Sequence, residues 1–503
     1  MIKIGTIDVG SNAIRAAVHE LTADQKVRVI DTIRSPIRLG SDVFSKGFIT
    51  EDTLLRMDLA FDEFKQFFLK HNVNYTKAVG TSALRETKNQ SEVIERIFKF
   101  TDIKIEIISG EEEARLVYRA VNSKIDLSKG KFLLVEIGGG SIETTIVKNG
   151  NIIFSDCVAM GTVRLLELLD NKKFSAKVLG RLMREYARGL ENTFNRDFDI
   201  GSFDCCIATG GNVEELVSLK KHIAGDPKED CLKVNELSAL IELIQPLSLE
   251  ERISQLNLRK DRADVILPAA LVLEVILKHL KIDKLISPKV GVRDGLALEI
   301  VDKVNNVIAP TRRAPLLAFT YEFAKRYNYN EQHAKTVALL SLVLFEQLQP
   351  IHKLKEEYKI LLELAAILHD IGQFINYRGH HKHTYYLIIE ASFIGLTTRE
   401  HQIVATLARY HRKSAPKKDH SCFQALAPED KDAIKKLAGI LRIADALDKN
   451  HNSDVETVLT RISDDKIFLC IQGKGDFLLE KWAVTKKSKL FNEVFEKTLV
   501  IED

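Results

Sequence analysis

Two stretches of this chain, far apart in the sequence, repeat one strand-and-turn pattern. Ile7-Asp8-Val9-Gly10-Ser11 follows an apolar run near the start, and Val135-Glu136-Ile137-Gly138-Gly139 follows another run much further along. In both, a carboxylate lies near the end of an apolar strand, one apolar residue follows, and glycine makes the turn. Two such halves in one chain indicate a duplicated α/β fold with a cleft between the halves.

The surrounding pattern supports this duplication. Runs rich in isoleucine and valine predict two sets of three strands, at 2–9, 14–19 and 26–33 and at 132–137, 142–148 and 151–158. Between the sets, the spacing predicts alternating helices and strands, at 51–70, 77–81, 91–100, 103–108 and from Glu111. A further buried strand at 205–209 enters a Gly210-Gly211 turn, and a helix follows a turn within 287–302.

The glycine-rich turns are candidate anion sites. Glycine lets the backbone approach a ligand closely, and successive N–H groups in a turn form a nest for anions. The Gly138-Gly139-Gly140-Ser141 turn therefore suits phosphate oxygens, with Gly10-Ser11-Asn12 facing it from the other half. One turn alone is equally well explained as an ordinary glycine-rich turn, but the duplicated pair favours a phosphate site.

Carboxylates at the ends of these strands are candidate metal ligands. Asp8 and Glu136 can hold Mg²⁺ directly or through water, because Mg²⁺ prefers oxygen ligands. Glu143 lies on the far strand of the same hairpin as Glu136 and can point back at the same ion. The sequence therefore predicts Mg²⁺ beside the phosphate-binding turns.

Six ordered blocks carry a resemblance to a known family: DVGSN (8–12), GTSALRE (80–86), ISGEEEAR (108–115), VEIGGGSIE (135–143), MGTVRL (160–165) and ATGGNVEEL (208–216). Through them the chain resembles the exopolyphosphatase/guanosine pentaphosphate phosphatase family over nearly its whole length. The resemblance implies a fold of the actin/Hsp70/sugar-kinase type, with ribonuclease-H-like domains at 1–122 and 123–305. It also implies a homodimer that releases terminal phosphate from inorganic polyphosphate, or the 5′ γ-phosphate from pppGpp.

The resemblance also assigns roles to individual residues. The catalytic glutamate of the family falls on Glu113, where a carboxylate can orient and deprotonate water for in-line attack on phosphorus. The acidic metal-binding positions fall on Glu136 and Glu143, and phosphate-contacting positions fall on Asn12 and Arg85. Members of the family usually have aspartate in place of Glu136, so this chain keeps the ligand type but adds a methylene.

From residue 306 onward the pattern is helical. Ala309-Pro310 and Pro315 bracket a short linker, and helices are predicted beyond it at 329–348, 358–371, 383–394, 399–413 and 429–448. A hairpin at 456–472 and a tail with several lysines close the chain, the lysines being Lys481, Lys486, Lys487 and Lys489. We therefore predict an all-α domain at 306–503 with a small α+β end, and a track for a long anion along the lysines.

A histidine-aspartate pattern marks this helical region. His369-Asp370 follows an apolar helical run, with His333 upstream and Asp445 downstream, which is the spacing of HD metal-dependent phosphohydrolases. The region is therefore predicted to be HD-like, with these residues as a second metal site for Mn²⁺ or another divalent ion. His383 and His411 lie where two-metal versions have further ligands.

Composition excludes several other classes of protein. The hydrophobic fraction is 45% and the charged fraction 28%, as in globular proteins. The net charge of +3 gives no overall signal for nucleic acid, so no specific nucleic-acid partner is expected. We expect neither a membrane span nor a secretion signal, because no apolar run is long enough. The six cysteines lack CxxC spacing, which predicts a reducing compartment, the cytoplasm.

Two alternative functions stay open. ATP-dependent kinases and ATPases of the same superfold use the same two phosphate turns and a Gly-Gly turn beside adenine, and Thr209-Gly210-Gly211 is the equivalent place here. Against this reading, the block around Glu113 favours water as the phosphate acceptor. The other alternative places the function in the HD-like region, as a metal phosphohydrolase or a regulatory polyanion-binding domain. No motif separates polyphosphate from pppGpp.

Overall fold

The computed structural model describes residues 2–22, 26–170, 202–224, 230–304, 310–391, 393 and 395–502, and single residues 181, 184, 185 and 188. The chain forms two compact units, Met1–Val307 and Ile308–Asp503. Among the described residues, no helix is both long enough and apolar enough to cross a membrane.

The first half of the first unit is built on a five-stranded sheet. Its strands are β1 (Ile2–Val9), β2 (Ile14–Leu21), β3 (Val27–Ser35), β4 (Tyr75–Gly80) and β5 (Ile105–Ile107), in the spatial order β3-β2-β1-β4-β5. The first three strands form an antiparallel meander, and β4 and β5 add to β1 in parallel. The central strand β1 is buried along most of its length, because Ile4, Ile7 and Val9 all point into apolar cores.

The second half repeats this sheet with one extra edge strand. Its strands are β6 (Lys131–Ile137), β7 (Ile142–Lys148), β8 (Asn151–Val158), β9 (Cys205–Thr209), β10 (Cys231–Lys233) and β11 (Lys284–Ile286), in the order β10-β11-β9-β6-β7-β8. Strands β6 to β8 form the meander, and β9 and β11 add in parallel. The predicted duplicated α/β architecture is therefore confirmed. The domain boundary predicted at residues 122 and 123 stays a prediction.

Helices pack on both sheets of the first unit. They are α1 (Leu39–Lys46), α2 (Glu51–Lys70), α3 (Ser82–Glu86), α4 (Gln90–Thr101), α5 (Gly110–Asn122), α6 (Thr162–Asp170), α7 (Gly211–Ala224), α8 (Val234–Ile244), α9 (Leu249–Gln255), α10 (Lys260–Ala263), α11 (Ile266–His279) and α12 (Val292–Val304). Phe61 and Phe64 of α2 lie in the core of the first half, and Leu273 of α11 lies in the core of the second. The last helix, α12, follows the second half in the sequence but packs against β1 and α5 of the first half.

The second unit consists mainly of helices. They are α13 (Pro310–Lys325), α14 (Glu331–Gln347), α15 (Gln349–His352), α16 (Glu357–Leu368), α17 (His380–Ile389), α18 (Thr398–Arg409), α19 (Ser421–Gln424), α20 (Pro428–Ala446) and α21 (Leu478–Phe495), with a 3₁₀ turn at Ile371–Phe374. A small sheet has the order β12-β13-β14, formed by Val455–Ile462, Lys466–Gly473 and Thr498–Glu502. Strand β14 pairs with β13 in parallel.

One expectation for this unit is wrong. The segment with Pro310 and Pro315 is not a linker but helix α13, which begins at Pro310 because a proline in the first turn needs no N–H partner. The predicted lysine-bearing tail forms helix α21 over residues 478–495 and strand β14 over residues 498–502. Helix α21 forms because apolar side chains such as Val484 and Phe491 are buried against α20.

Candidate active site

Three carboxylates converge in the first unit. Glu136 on β6 and Glu143 on β7 are direct partners in the antiparallel register, so their side chains project from the same face of the sheet. Glu113 comes from the first turn of α5. One carboxylate oxygen of each residue lies within 4.8 Å of those of the other two. The structure thus brings the predicted catalytic glutamate together with two of the predicted metal ligands.

The helix that carries Glu113 is held firmly at its start. The Ser109 side chain accepts a hydrogen bond from the Glu112 N–H at 3.2 Å, which caps α5. The buried guanidinium of Arg115 donates to Glu112 at 2.6 Å and to Glu299 of α12 at 2.8 Å. Glu113 is therefore positioned by a capped helix that is also tied to α12, rather than by a free loop.

The three buried carboxylates have too few hydrogen-bond donors and positive charges around them to offset the cost of burying their negative charge. The Oε2 atoms of Glu113, Glu136 and Glu143 are buried, and none has a hydrogen-bond partner among the described residues. Burial, together with repulsion from Glu143 and Glu136, raises the pKa of Glu113 well above its ordinary value, and nearby Arg85 opposes this only in part. Burial and repulsion from Glu143 also raise the pKa of Glu136. Unpartnered oxygen donors around one point fit a divalent cation such as Mg²⁺.

These raised pKa values predict how stability depends on pH. The unfolded chain releases these protons near pH 4.5, but the folded protein keeps them to higher pH. The contribution of protonated Glu113 and Glu136 to folding stability is therefore complete below pH 4.5. It is lost as the pH rises through the raised pKa values of the folded protein. In thermal unfolding with EDTA, we expect the midpoint to fall over this window more steeply than with Mg²⁺. Equal slopes under the two conditions would contradict the expectation.

The two glycine turns lie against each other, as predicted from their pattern. A side-chain carbon built on Gly139 would lie 3.1 Å from the backbone nitrogen of Asn12, and one on Gly140 would lie 2.7 Å from Ser11 Oγ. Glycine is needed here because any larger residue would push the turns apart. The cavity between them measures about 70 Å³ and is lined by both turns, including Gly138 and Ser141, and by Asp8, Glu113 and Glu136.

The Asn12 side chain has partners that the sequence did not reveal. Its amide Nδ2 donates to the Asp261 carbonyl at 3.1 Å, and its Oδ1 accepts from Arg38 Nε at 2.8 Å. Arg38 in turn pairs with Asp264 at 2.6 Å, and Arg34 pairs with the Asp261 carboxylate. We call these five residues the interhalf clamp. The Asn12 side chain is thus engaged in joining the two halves, although the residue also lines the cavity.

Arg85 and Asp8 occupy different sides of this region. The Arg85 guanidinium donates to the Ile108 carbonyl at 2.6 Å and lies 3.8 Å from Glu113 Oε2, so it faces the carboxylate cluster. Asp8 is opposite Arg15 in the β1–β2 register. Burial raises the pKa of Asp8, against the opposing charge of Arg15. Asp8 is therefore outside the cluster of three glutamates but on the same cavity.

Two arginines that no sequence motif marks also line the cavity, Arg15 and Arg262. Arg262 is 3% exposed, and its Nη1 donates to Asn212 at 2.9 Å, but its Nε and Nη2 have no partner among the described residues. Burial, with repulsion from Arg15 and Arg34, lowers the pKa of Arg262 to about 9. A buried guanidinium with unused donors beside two glycine turns is suited to binding a phosphate group.

In the second unit, the predicted metal-binding residues also come together. The cluster contains the four predicted ligands and three further histidines, namely His333, His369, Asp370, Asp445, His380, His411 and His451. His380, rather than the expected His383, lies beside His411. The difference arises because α17 begins at His380, which directs that side chain inward.

Comparison with known proteins agrees with this fold. Residues 18–304 match the Ppx/GppA phosphatase family, and residues 318–487 match domain III of the same family. The protein is thus a phosphoanhydride hydrolase. The first match covers more than half of the chain, which therefore belongs to the Ppx/GppA phosphatase family, as its sequence blocks predict.

Individual relatives extend over most of the chain. A guanosine-5′-triphosphate,3′-diphosphate pyrophosphatase from Vibrio campbellii is 26% identical over 485 residues, covering 93% of this chain and 91% of the relative. An exopolyphosphatase structure from Cytophaga hutchinsonii is 23% identical with a TM-score of 0.55, covering 60% of this chain and 98% of that one. A Ppx/GppA structure from Aquifex aeolicus, also 23% identical, has a TM-score of 0.51 with 60% and 99% covered. The structures support the fold alone.

Proposed function

We propose that this chain releases terminal orthophosphate from a linear phosphoanhydride, either inorganic polyphosphate or the 5′ γ-phosphate of pppGpp. The observation that carries the proposal is the cavity between the glycine turns, which Glu113, Glu136 and the partly unpaired Arg262 all line. Such a cavity combines groups that hold phosphate with a carboxylate that can activate water. Hydrolysis of a phosphoanhydride requires both.

In the proposed reaction, the substrate is held by its phosphate oxygens. The N–H groups of the 138–141 turn and the guanidinium groups of Arg15 and Arg262 bind these oxygens. Glu113 orients a water molecule and accepts its proton as the water oxygen attacks the terminal phosphorus. The bond from that phosphorus to the bridging oxygen breaks, and the shortened chain leaves in line with the attack.

Mg²⁺ fits this reaction at Glu136 and Glu143, because their unpartnered oxygens face the same point as Glu113. When bound, the ion supplies positive charge that offsets charge on the phosphate oxygens and favours the ionised form of the glutamates. The pKa of Glu113 is then lowered, which allows this residue to accept a proton near neutral pH. Arg85, at 3.8 Å from Glu113, acts in the same direction.

Both candidate substrates end in the same phosphoanhydride. The Vibrio campbellii relative is named for guanosine-5′-triphosphate,3′-diphosphate, and the Cytophaga hutchinsonii structure is named as an exopolyphosphatase. A second cavity of about 450 Å³ shares Gly211 with the first, and its charged lining consists of Lys221, Arg259 and Lys289 with the carboxylates of Glu214 and Glu215. We propose that these cations meet the remaining anionic part of the substrate, whichever of the two is bound.

A phosphate-release assay tests this proposal. Full-length protein with Mg²⁺ is given long polyphosphate, short polyphosphate, pppGpp or ATP, and free orthophosphate is measured, with Glu113→Gln protein as the background. We expect release from polyphosphate or pppGpp to exceed release from ATP by a wide margin. Phosphate transfer from ATP to a small acceptor, without release from the other substrates, would overturn the proposal in favour of a kinase.

A further inference from the structure

A buried cluster of histidine and aspartate side chains lies within the second unit. Six of its members belong to α14, α16 to α18 and α20 or follow them directly, and they are His333, His369, Asp370, His380, His411 and Asp445. The four histidines among these six are between 0% and 2% exposed. The seventh member, the half-buried His451, stacks on the His333 ring with 3.7 Å between the ring centroids. Buried polar atoms require partners, so the partner of each ring nitrogen indicates what the cluster binds.

Each of the four buried histidines uses Nδ1 in a hydrogen bond that leaves Nε2 pointing into the cluster. The Nδ1 acceptors are the carbonyls of Ala366, Tyr377 and Ala408, for His369, His380 and His411, and the Asp448 carboxylate for His333, at 2.7 to 3.0 Å. Because carbonyls and carboxylates only accept, Nδ1 carries the proton and Nε2 of the neutral ring has a free lone pair. Metal-binding histidines are oriented in this way by their outer hydrogen bonds.

The first group of ligand atoms surrounds one point. The Nε2 atoms of His333 and His369 have no hydrogen-bond partner among the described residues. Asp445 Oδ1 lies 3.7 Å and 3.9 Å from these two atoms, and Asp370 Oδ2 lies 4.0 Å and 3.6 Å from them. Ligands bind a divalent ion at about 2.0–2.2 Å, so atoms that share one ion lie within about 4.4 Å of each other. All four of these nitrogen–oxygen distances meet that condition.

The second group uses the other oxygen of Asp370. Asp370 Oδ1 lies 3.0 Å from His380 Nε2 and 3.5 Å from His411 Nε2, and the two nitrogens are 3.1 Å apart. Two lone pairs at this distance repel each other unless a cation lies between them. Arg412 Nη1 lies 3.2 Å from both nitrogens of the His380 ring, so an ion bound by this group competes with the guanidinium.

We propose that the second unit binds two divalent transition-metal ions bridged by the Asp370 carboxylate. One ion is held by His333, His369, Asp445 and Asp370 Oδ2, and the other by His380, His411 and Asp370 Oδ1. Imidazole with carboxylate suits Mn²⁺, Fe²⁺ or Zn²⁺. A site with two such metal ions can bind a phosphate-type oxyanion between them. The centre is separate from the proposed phosphoanhydride site, and it adds a second ion to the HD-like site that the sequence predicts.

Lys487 gives the proposal a second consequence. Its ammonium group makes an ion pair with Asp445 Oδ2, at the edge of the first group. In the cluster without metal, this lysine partly neutralises the carboxylate, so a bound ion competes with it. Lys487→Met is therefore expected to tighten binding of the first ion, which a Mn²⁺ titration measures. Weaker binding in this variant would contradict the assignment of Asp445 as a ligand.

The stoichiometry of bound metal tests the proposal. Chelator-treated full-length protein is equilibrated with Mn²⁺ in a large excess of Mg²⁺, so that Mg²⁺ occupies the carboxylate site of the first unit. The number of Mn²⁺ ions per chain is then measured by elemental mass spectrometry, and the magnetic coupling between the ions is measured by electron paramagnetic resonance. We expect two coupled Mn²⁺ ions for the wild type, one for His411→Gln, and none for Asp370→Ala.

His383→Gln is the matched control, because His383 lies on the same helix as His380 but outside the cluster. It is expected to keep both ions. One ion or none in the wild type overturns the proposal, as does an equal loss in His383→Gln and His411→Gln. If His411→Gln does not fold, His380→Gln replaces it. Mn²⁺ should also raise the unfolding midpoint of the wild type but not of Asp370→Ala.

Discussion

Glu113→Gln is expected to lower phosphate release by about 10²–10⁴-fold, the range that a general base contributes. The amide keeps the size of the side chain but cannot accept the proton of the attacking water. The α5 cap at Ser109 and the Arg115 anchor do not involve the Glu113 side chain, so the fold is expected to stay intact. The measurement is initial-rate phosphate release at saturating substrate, with circular dichroism to check folding.

Glu111→Gln is the matched control for this prediction. Glu111 lies in the same first turn of α5 but is not among the residues that line the cavity. Its substitution is expected to leave the rate within a few-fold of the wild type. Retention of the wild-type rate by Glu113→Gln would exclude Glu113 as the base, while substrate binding by the inactive variant would show that the anion site survives.

Glu143→Gln is expected to change stability and activity in opposite directions. Glu143 is 1% exposed, and its Oε2 has no hydrogen-bond partner in the described part of the chain, so in the absence of metal it adds repulsion to a buried cluster. A neutral amide at this position can donate to Glu136 instead. We expect the free energy of unfolding in EDTA to rise by about 1 kcal/mol. Phosphate release is expected to fall by at least about a hundredfold, because even outer partners of metal ligands contribute 10–100-fold.

Denaturant unfolding in EDTA and in Mg²⁺ measures both parts of this prediction. Mg²⁺ should stabilise the wild type more than the variant, since binding to the folded state alone adds stability. Glu20→Gln provides a control on the same unit, away from the cavity lining. A variant that is less stable than the wild type in EDTA, yet equally stabilised by Mg²⁺, would show that Glu143 does not act as a metal ligand.

Much of the fold of the first unit could be predicted because its signals are local. β1 covers Ile2–Val9 and β6 covers Lys131–Ile137, close to the expected 2–9 and 132–137, since alternating isoleucine and valine runs end at glycine turns. The same hairpin pattern placed Glu143 opposite Glu136. Local strand and turn chemistry was therefore enough to bring together part of the site.

Residues brought in by distant packing could not be predicted in this way. Arg262 reaches the cavity from a short helix, and nothing in its neighbourhood distinguishes it from a surface arginine. Arg15 could have been found, because the β1–β2 hairpin places it opposite Asp8. The identity of the inward histidine in the 380–383 stretch depends on where α17 begins, which the run of histidines does not specify.

The carboxylate cluster draws its members from both halves of the first unit. Glu113 belongs to α5 of the first half, whereas Glu136 and Glu143 belong to the sheet of the second. The proposed base and the proposed metal ligands therefore meet only while the halves are together, and the interhalf clamp at Asn12 helps to hold the halves together. An inhibitor of such an enzyme need not resemble phosphate, because a molecule wedged at the clamp would disable catalysis by separating groups that it never touches.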